Sequence, residues 1–164
     1  NQGRKKGLNI KTGAIEDCNF TPNTFDVITM WDVFEHLPDP DKTISYIYNL
    51  LKPNGLLVIN SPDAGSVYAR IMGKHWALII TKEHLHLFNK KNIKKLLNKH
   101  NFSIEAASRI GKKFKLAYIF QILYTVRHHQ IWKKISDSIK KTPLNKISFP
   151  INLRDNMFII ARKK

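Results

Sequence analysis

Three histidines and a cluster of acids hold most of the reactive chemistry in this 164-residue chain. His84 and His86 alternate with Leu85 and Leu87, so in an extended segment both imidazoles fall on one face. His36 directly follows Glu35. An imidazole titrates near neutrality and can take a proton from an acceptor or orient it. The same side chain also serves as a capping or packing group tied to the backbone. Two histidines two residues apart can hold a metal, but no matching third ligand stands beside them in the sequence, so no metal is expected. The acids are concentrated. Thr12 to Asp41 holds seven Asp or Glu and no Lys or Arg, inside a chain of net charge +16. Such a stretch suits a cationic ligand, or else consists of caps and loop carboxylates facing water.

These groups need elements to position them. Asp26 to Met30 is a short apolar run with β-branched residues and predicts a buried strand. Asp39 and Pro40 form a helix start, as N-cap and first helical residue. Ile44, Ile47, Tyr48 and Leu51 then make one apolar helix face, and Lys52-Pro53-Asn54-Gly55 stops it. Leu56 to Ile59 predicts a second buried strand. A strand, a crossover helix and a second strand without alternation indicate a parallel sheet covered on both faces. Before this block, Leu8 to Lys11 is a short strand candidate and Gly13-Ala14-Ile15-Glu16-Asp17 a loop. After it, Asp63 caps a short helix from Ala64 to Met72 with Val67 and Ile71 as its buried pair. Lys82-Glu83-His84-Leu85-His86-Leu87-Phe88 follows, and Asn89 caps a helix from Lys90 to about Lys99.

Phe25-Asp26-Val27-Ile28, Glu35-His36-Leu37, Asp39-Pro40, Leu50 to Gly55 and Ser61-Pro62-Asp63 together resemble the central block of class I S-adenosylmethionine (SAM) dependent methyltransferases. The likeness is closest to the branch acting on small molecules, lipids and sugars. The resemblance implies an α/β fold with a doubly wound, Rossmann-like, mostly parallel sheet closed by an antiparallel C-terminal strand. It implies SAM as cofactor. It places Ala14, Ile15 and Glu16 around the adenine, where Glu16, Asp17 or the backbone alone must serve, because Ala14 stands where the family often has an Asp. Met30, Trp31 and Asp32, at the carboxyl end of the first core strand, fall beside the methionine part. Trp31 covers the cofactor there or packs under the following helix, and Asp32 attracts its cationic groups or is a solvated loop acid. His36, His84 and His86 are the candidate catalytic bases.

The family's glycine-rich turn after a first strand has no counterpart, since Gly3, Gly7 and Gly13 are not spaced for it. The chain therefore reads as the C-terminal part (1–164) of a single methyltransferase domain, lacking the first strands and expected to bind SAM weakly or not at all by itself. A strand from about Phe102 and another over Asn156 to Arg162 resemble the closing hairpin of that sheet, with a helical insertion at about 111–150. Within it, 114–135 is apolar and aromatic with a basic end, which fits a lid helix, or peripheral membrane contact through its greasy face. A single cysteine excludes a disulfide framework and suits a reducing, cytoplasmic compartment. The acceptor class is a small molecule, sugar or lipid methylated at O, N or C. A basic nucleic-acid-binding protein and a non-catalytic methyltransferase-like scaffold are the alternatives. Nucleic acid is not the expected partner, for no recognisable motif accompanies the charge.

Overall fold

The computed structural model describes residues 2–76, 78–79, 83–151 and 153–164. Lys82, at the head of the histidine segment, lies outside the described residues. A four-residue helix α1 (Gln2–Lys5) is followed by irregular chain. The strand expected at Leu8 to Lys11 does not form: the segment is exposed and pairs with no other strand among the described residues.

The chain then builds β1 (Phe25–Trp31), α2 (Pro40–Leu50), β2 (Leu51–Pro62), α3 (Val67–Met72), α4 (Lys90–Lys99) and β3 (Phe102–Arg109). A ribbon of β4 (Lys112–Lys115) and β5 (Ser148–Ile151) brackets the helices α5 (Leu116–Arg127) and α6 (Gln130–Lys140). The last strand, β6 (Asn156–Lys163), returns to the main sheet. The sheet order is β1-β2-β6-β3, with β1 and β2 parallel and β6 antiparallel to both neighbours. A mixed sheet flanked by helices is the Rossmann-like arrangement the resemblance implies, and the β3–β6 hairpin closes it as expected.

The helix starts follow local chemistry. Asp39 accepts the Lys42 amide at 3.0 Å, with Pro40 at the first helical position. Asn89 and Asn92 cap α4 reciprocally. Ile44, Ile47, Ile93 and Leu97 bring the apolar faces of α2 and α4 into one core with Leu57, Ile59, Phe102, Met157 and Ile159.

Three expectations need correction. Leu51 is buried as the first residue of β2, not as part of the helix face. The Lys52–Gly55 segment is an excursion within β2: Phe25 pairs with Leu51, yet Val27 pairs with Leu56. Asn54 takes a left-handed φ of 65° in this excursion, and a Cβ on Gly55 would lie 2.9 Å from the Lys52 carbonyl, so only glycine fits. The helix after β2 begins later than expected. Ser66 caps it by accepting the Ala69 amide, while Asp63 accepts the Gly65 amide in a turn. That rotation buries Ala69 and leaves Val67 and Ile71 71% and 78% exposed.

Candidate active site

β1 ends at Trp31, and the chain leaves its carboxyl end through Asp32, which takes a left-handed φ of 50°. Its amide donates to the Asn60 carbonyl at 3.0 Å and its carboxylate accepts the Asn60 side-chain amide at 3.1 Å. These two bonds from β2 hold Asp32 in a backbone region that few residues other than Gly, Asn and Asp adopt. Beside this end lies a cavity of about 580 Å³. Its walls are the loop 13–17, Ile28 to Met30 of β1, Val33 and Leu37 beyond it, and the first turns of α2.

The 13–17 loop is a 3₁₀ turn over Ile15–Cys18 that begins at Ala14. It is fixed to α2 by Thr43, whose hydroxyl donates to Glu16 at 2.5 Å. Lys11 reaches over the Phe20 ring to the Cys18 carbonyl and closes the loop on itself. Ala14, Ile15, Glu16 and Met30 thus converge on one cavity, although 13 residues separate Ile28 from Ile15 and no local pattern joins them. Trp31 and Asp32 do not line it. Trp31 is half exposed and its ring meets Phe158 at 5.8 Å, and Asp32 faces Asn60.

Most of the seven acids prove to have structural partners. Asp26 pairs with Lys52, and Asp41 with Lys99 and His100. The hydrogen bond and charge of Lys52 hold the Asp26 carboxyl below its ordinary value, and those of Lys99, then His100, do the same for Asp41. Asp39 caps α2, and the buried Glu35 accepts the Ser61 hydroxyl at 2.9 Å. Glu16, Asp17 and Asp39 are the acids on the cavity wall.

The histidines fall on the other side of the 3₁₀ turn Phe34–His36, which runs between the cavity residues Val33 and Leu37. The Glu35 carbonyl accepts the amides of Leu85 and His86 at 2.9 and 3.1 Å, docking the histidine segment against this turn. Phe34, fully buried, meets Phe88 in a tilted ring contact at 4.7 Å. His36 and His84 meet with ring centroids 4.8 Å apart. His86 lies instead against Phe88, and its Nε2 is buried without a hydrogen-bond partner. The alternating pattern therefore does not pair His84 with His86. It pairs His84 with His36, 48 residues earlier.

Sequence reasoning missed Lys42 and Thr43, whose only signal was their place in the first turn of a capped helix, and the Leu37-Pro38 wall just before it. It also assigned no role to Asn60 or to the Glu35 side chain.

A methyltransferase-domain family model matches residues 3–107. The chain belongs to that family. It is 33% identical over 84 residues to the ubiquinone biosynthesis O-methyltransferase of Saccharophagus degradans, an overlap of 49% of this chain and 35% of that protein. It is 30% identical over 110 residues to phosphoethanolamine N-methyltransferase 2 of Caenorhabditis elegans, covering 67% of this chain and 23% of that one. The chain thus spans about a third or less of the length of these relatives. The solved SAM-dependent methyltransferase of Thermotoga maritima superposes with a TM-score of 0.63 at 18% identity, over 98% of this chain and 66% of that one. The cyclase SpnF superposes with a TM-score of 0.58 at 16% identity, over 99% and 59%. These two likenesses establish a shared fold: the class I SAM-dependent methyltransferase fold.

Proposed function

We propose that this domain takes part in SAM-dependent methyl transfer to an oxygen, nitrogen or carbon of a small-molecule, sugar or lipid acceptor in a cytoplasmic setting. The observation that carries the proposal is the cavity beside β1, walled by Ala14, Ile15, Glu16 and Met30. These residues fit the adenosyl end of the cofactor. Ile15, Ile28, Met30 and Ile47 give flat apolar contact, and Glu16 offers a carboxylate oxygen held in place by Thr43. When bound, SAM supplies an electrophilic methyl on a sulfonium. The chain's own residues then align and deprotonate the acceptor. Met30 begins the path toward Trp31 and Asp32, where the carboxylate favours a nearby cation. His36 and His84 each present a ring nitrogen that can take the acceptor's proton, and His86 is a third candidate base on the same segment. The relatives named as an O-methyltransferase and an N-methyltransferase support a small-molecule acceptor.

The helical part at 111–150 is an insertion in this domain by the same reading. The exposed Tyr118, Ile131 and Phe149, set among Lys113, Lys115, Lys133 and Lys134, support peripheral contact with a membrane surface. Among the described residues no helix is long and apolar enough to cross a membrane.

Titration of the chain with S-adenosylhomocysteine, followed by amide NMR, tests the cofactor site. Shifts centred on Ala14 to Asp17 and Ile28 to Met30, with an affinity weaker than micromolar, are expected. Absence of shifts at millimolar ligand, or shifts centred elsewhere, overturns it. A methyltransferase-like relative that transfers no methyl group is the second reading, since the SpnF likeness puts this fold in a protein named for another reaction. Cofactor binding without transfer to any hydroxyl or amine acceptor would favour it.

A further inference from the structure

Glu35, His36 and His84 offer one ligand atom each, and these atoms lie within 4.8 Å of one another. The hydrogen bonds around them decide which atoms are free. His36 Nδ1 is 2.6 Å from the Glu83 carbonyl, and His84 Nδ1 is 2.7 Å from the Leu78 carbonyl. A carbonyl oxygen only accepts, so each Nδ1 must carry the proton, and each neutral ring keeps a bare Nε2. One Glu35 oxygen accepts the Ser61 hydroxyl at 2.9 Å, which orients the carboxylate and leaves its second oxygen available. A ring nitrogen tied to a carbonyl, with the other left bare, is the outer arrangement that metal-ligating histidines almost always have.

We infer that Glu35, His36 and His84 form a divalent metal site. First-row metals bind imidazole and carboxylate at about 2.0–2.2 Å, so donors round a tetrahedral ion sit roughly 3.4 Å apart, and the three groups draw together when an ion binds. Two imidazoles with one carboxylate select Zn²⁺ or a similar transition ion over Mg²⁺ and Ca²⁺, which prefer all-oxygen shells. Three protein ligands also leave a coordination position open for an outside oxygen or nitrogen. The site is distinct from the cavity wall, because Glu35 and His36 lie between Val33 and Leu37 but do not line it. Sequence spacing hid it: His86 is not a ligand, and both partners of His84 come from the turn after β1.

The inference rests on geometry independent of the methyl-transfer reading, and its test uses no cofactor. Calorimetric titration of the chain with Zn²⁺ at pH 7.5 is expected to show one equivalent bound, with Co²⁺ giving a visible absorption band and Mg²⁺ no response. His36→Ala and His84→Ala should each weaken binding more than the roughly 10–100-fold lost on changing an outer partner. Glu35→Gln keeps the size and the Ser61 bond, so its loss of affinity reads ligation rather than folding, which circular dichroism checks. His75→Ala and His128→Ala, both away from the three ligands, should bind as before. No stoichiometric binding, or binding that survives both His36→Ala and His84→Ala, overturns the site. His36 and His84 then keep their proposed role as free proton acceptors.

Discussion

The sheet body and the helical module are built on different terms. In the body, β2 and β6 carry fully buried Leu57, Ile59, Met157 and Ile159, and the helices over them start with side-chain caps. In the module, α5 and α6 pack mainly on each other. Ser136 donates to the Ala117 carbonyl at 2.8 Å, Phe120 stacks on Trp132, and α5 has no side-chain cap. From Lys112 to Ile151 there are nine Lys or Arg and one acid, Asp137, which pairs with Lys140. The cavity wall carries Glu16, Asp17 and Asp39 against Lys42. One region has put its residues into packing, the other into a charged, partly greasy surface. A fold can therefore keep a fixed body while a bracketed module takes on its own surface chemistry.

Substitutions can test how sharp that division is. Phe102→Ala, at a fully buried ring edge-on to Tyr48, should cost about 3–5 kcal/mol in urea unfolding. Ile131→Ser, half exposed on α6, should stay within about 0.5 kcal/mol. Equal costs would erase the contrast. Next in size, Lys133→Gln with Lys134→Gln should weaken binding to phosphatidylglycerol vesicles by about 2 kcal/mol, roughly thirtyfold. Binding of the unmodified chain to neutral phosphatidylcholine as tightly as to the anionic vesicles would remove charge from the account. Thr43→Val should release the 13–17 loop at a cost of about 1 kcal/mol, seen as faster amide exchange at Ile15 to Cys18. Unchanged exchange there would mean the Glu16 bond does not hold the loop.

The smallest effect concerns pH. Hydrogen bonds and charge from Lys52, Lys99 and Arg162 lower the Asp26, Asp41 and Glu105 carboxyls. Each is charged and stabilising at neutral pH. Its contribution is fully present above the ordinary carboxylate value near 4 and fades as pH falls through the lowered one. A triple Asp26→Asn, Asp41→Asn, Glu105→Gln variant should accordingly lose part of the slope of melting temperature against pH in that window. An unchanged slope would place acid sensitivity elsewhere.

Much of the body was legible because its signals are local. A capping Asp before Pro40, an Asn at 89 and a β-branched run at 26–30 each carry their physics within a few residues. The site was legible only in part. Ala14, Ile15, Glu16 and Met30 were brought forward by resemblance, and the structure gathers them round one cavity. The His36–His84 pair was not visible, because the Glu35 carbonyl makes it through main-chain bonds that no residue pattern records. The same holds for the β4–β5 ribbon, whose strands include Lys112-Lys113 and Pro150 and show no clear alternation. The placement of α3 failed because Asp63 and Ser66 both suit a cap and only tertiary packing chooses between them.

The docking of the 83–88 segment has an evolutionary consequence. Its anchor is one peptide carbonyl receiving two peptide amides, so the berth does not depend on which side chain stands at position 85. Leu85 points outward, 57% exposed. Mutation can therefore rewrite that outward face, and with it whatever the segment recognises, while the loop keeps its mooring.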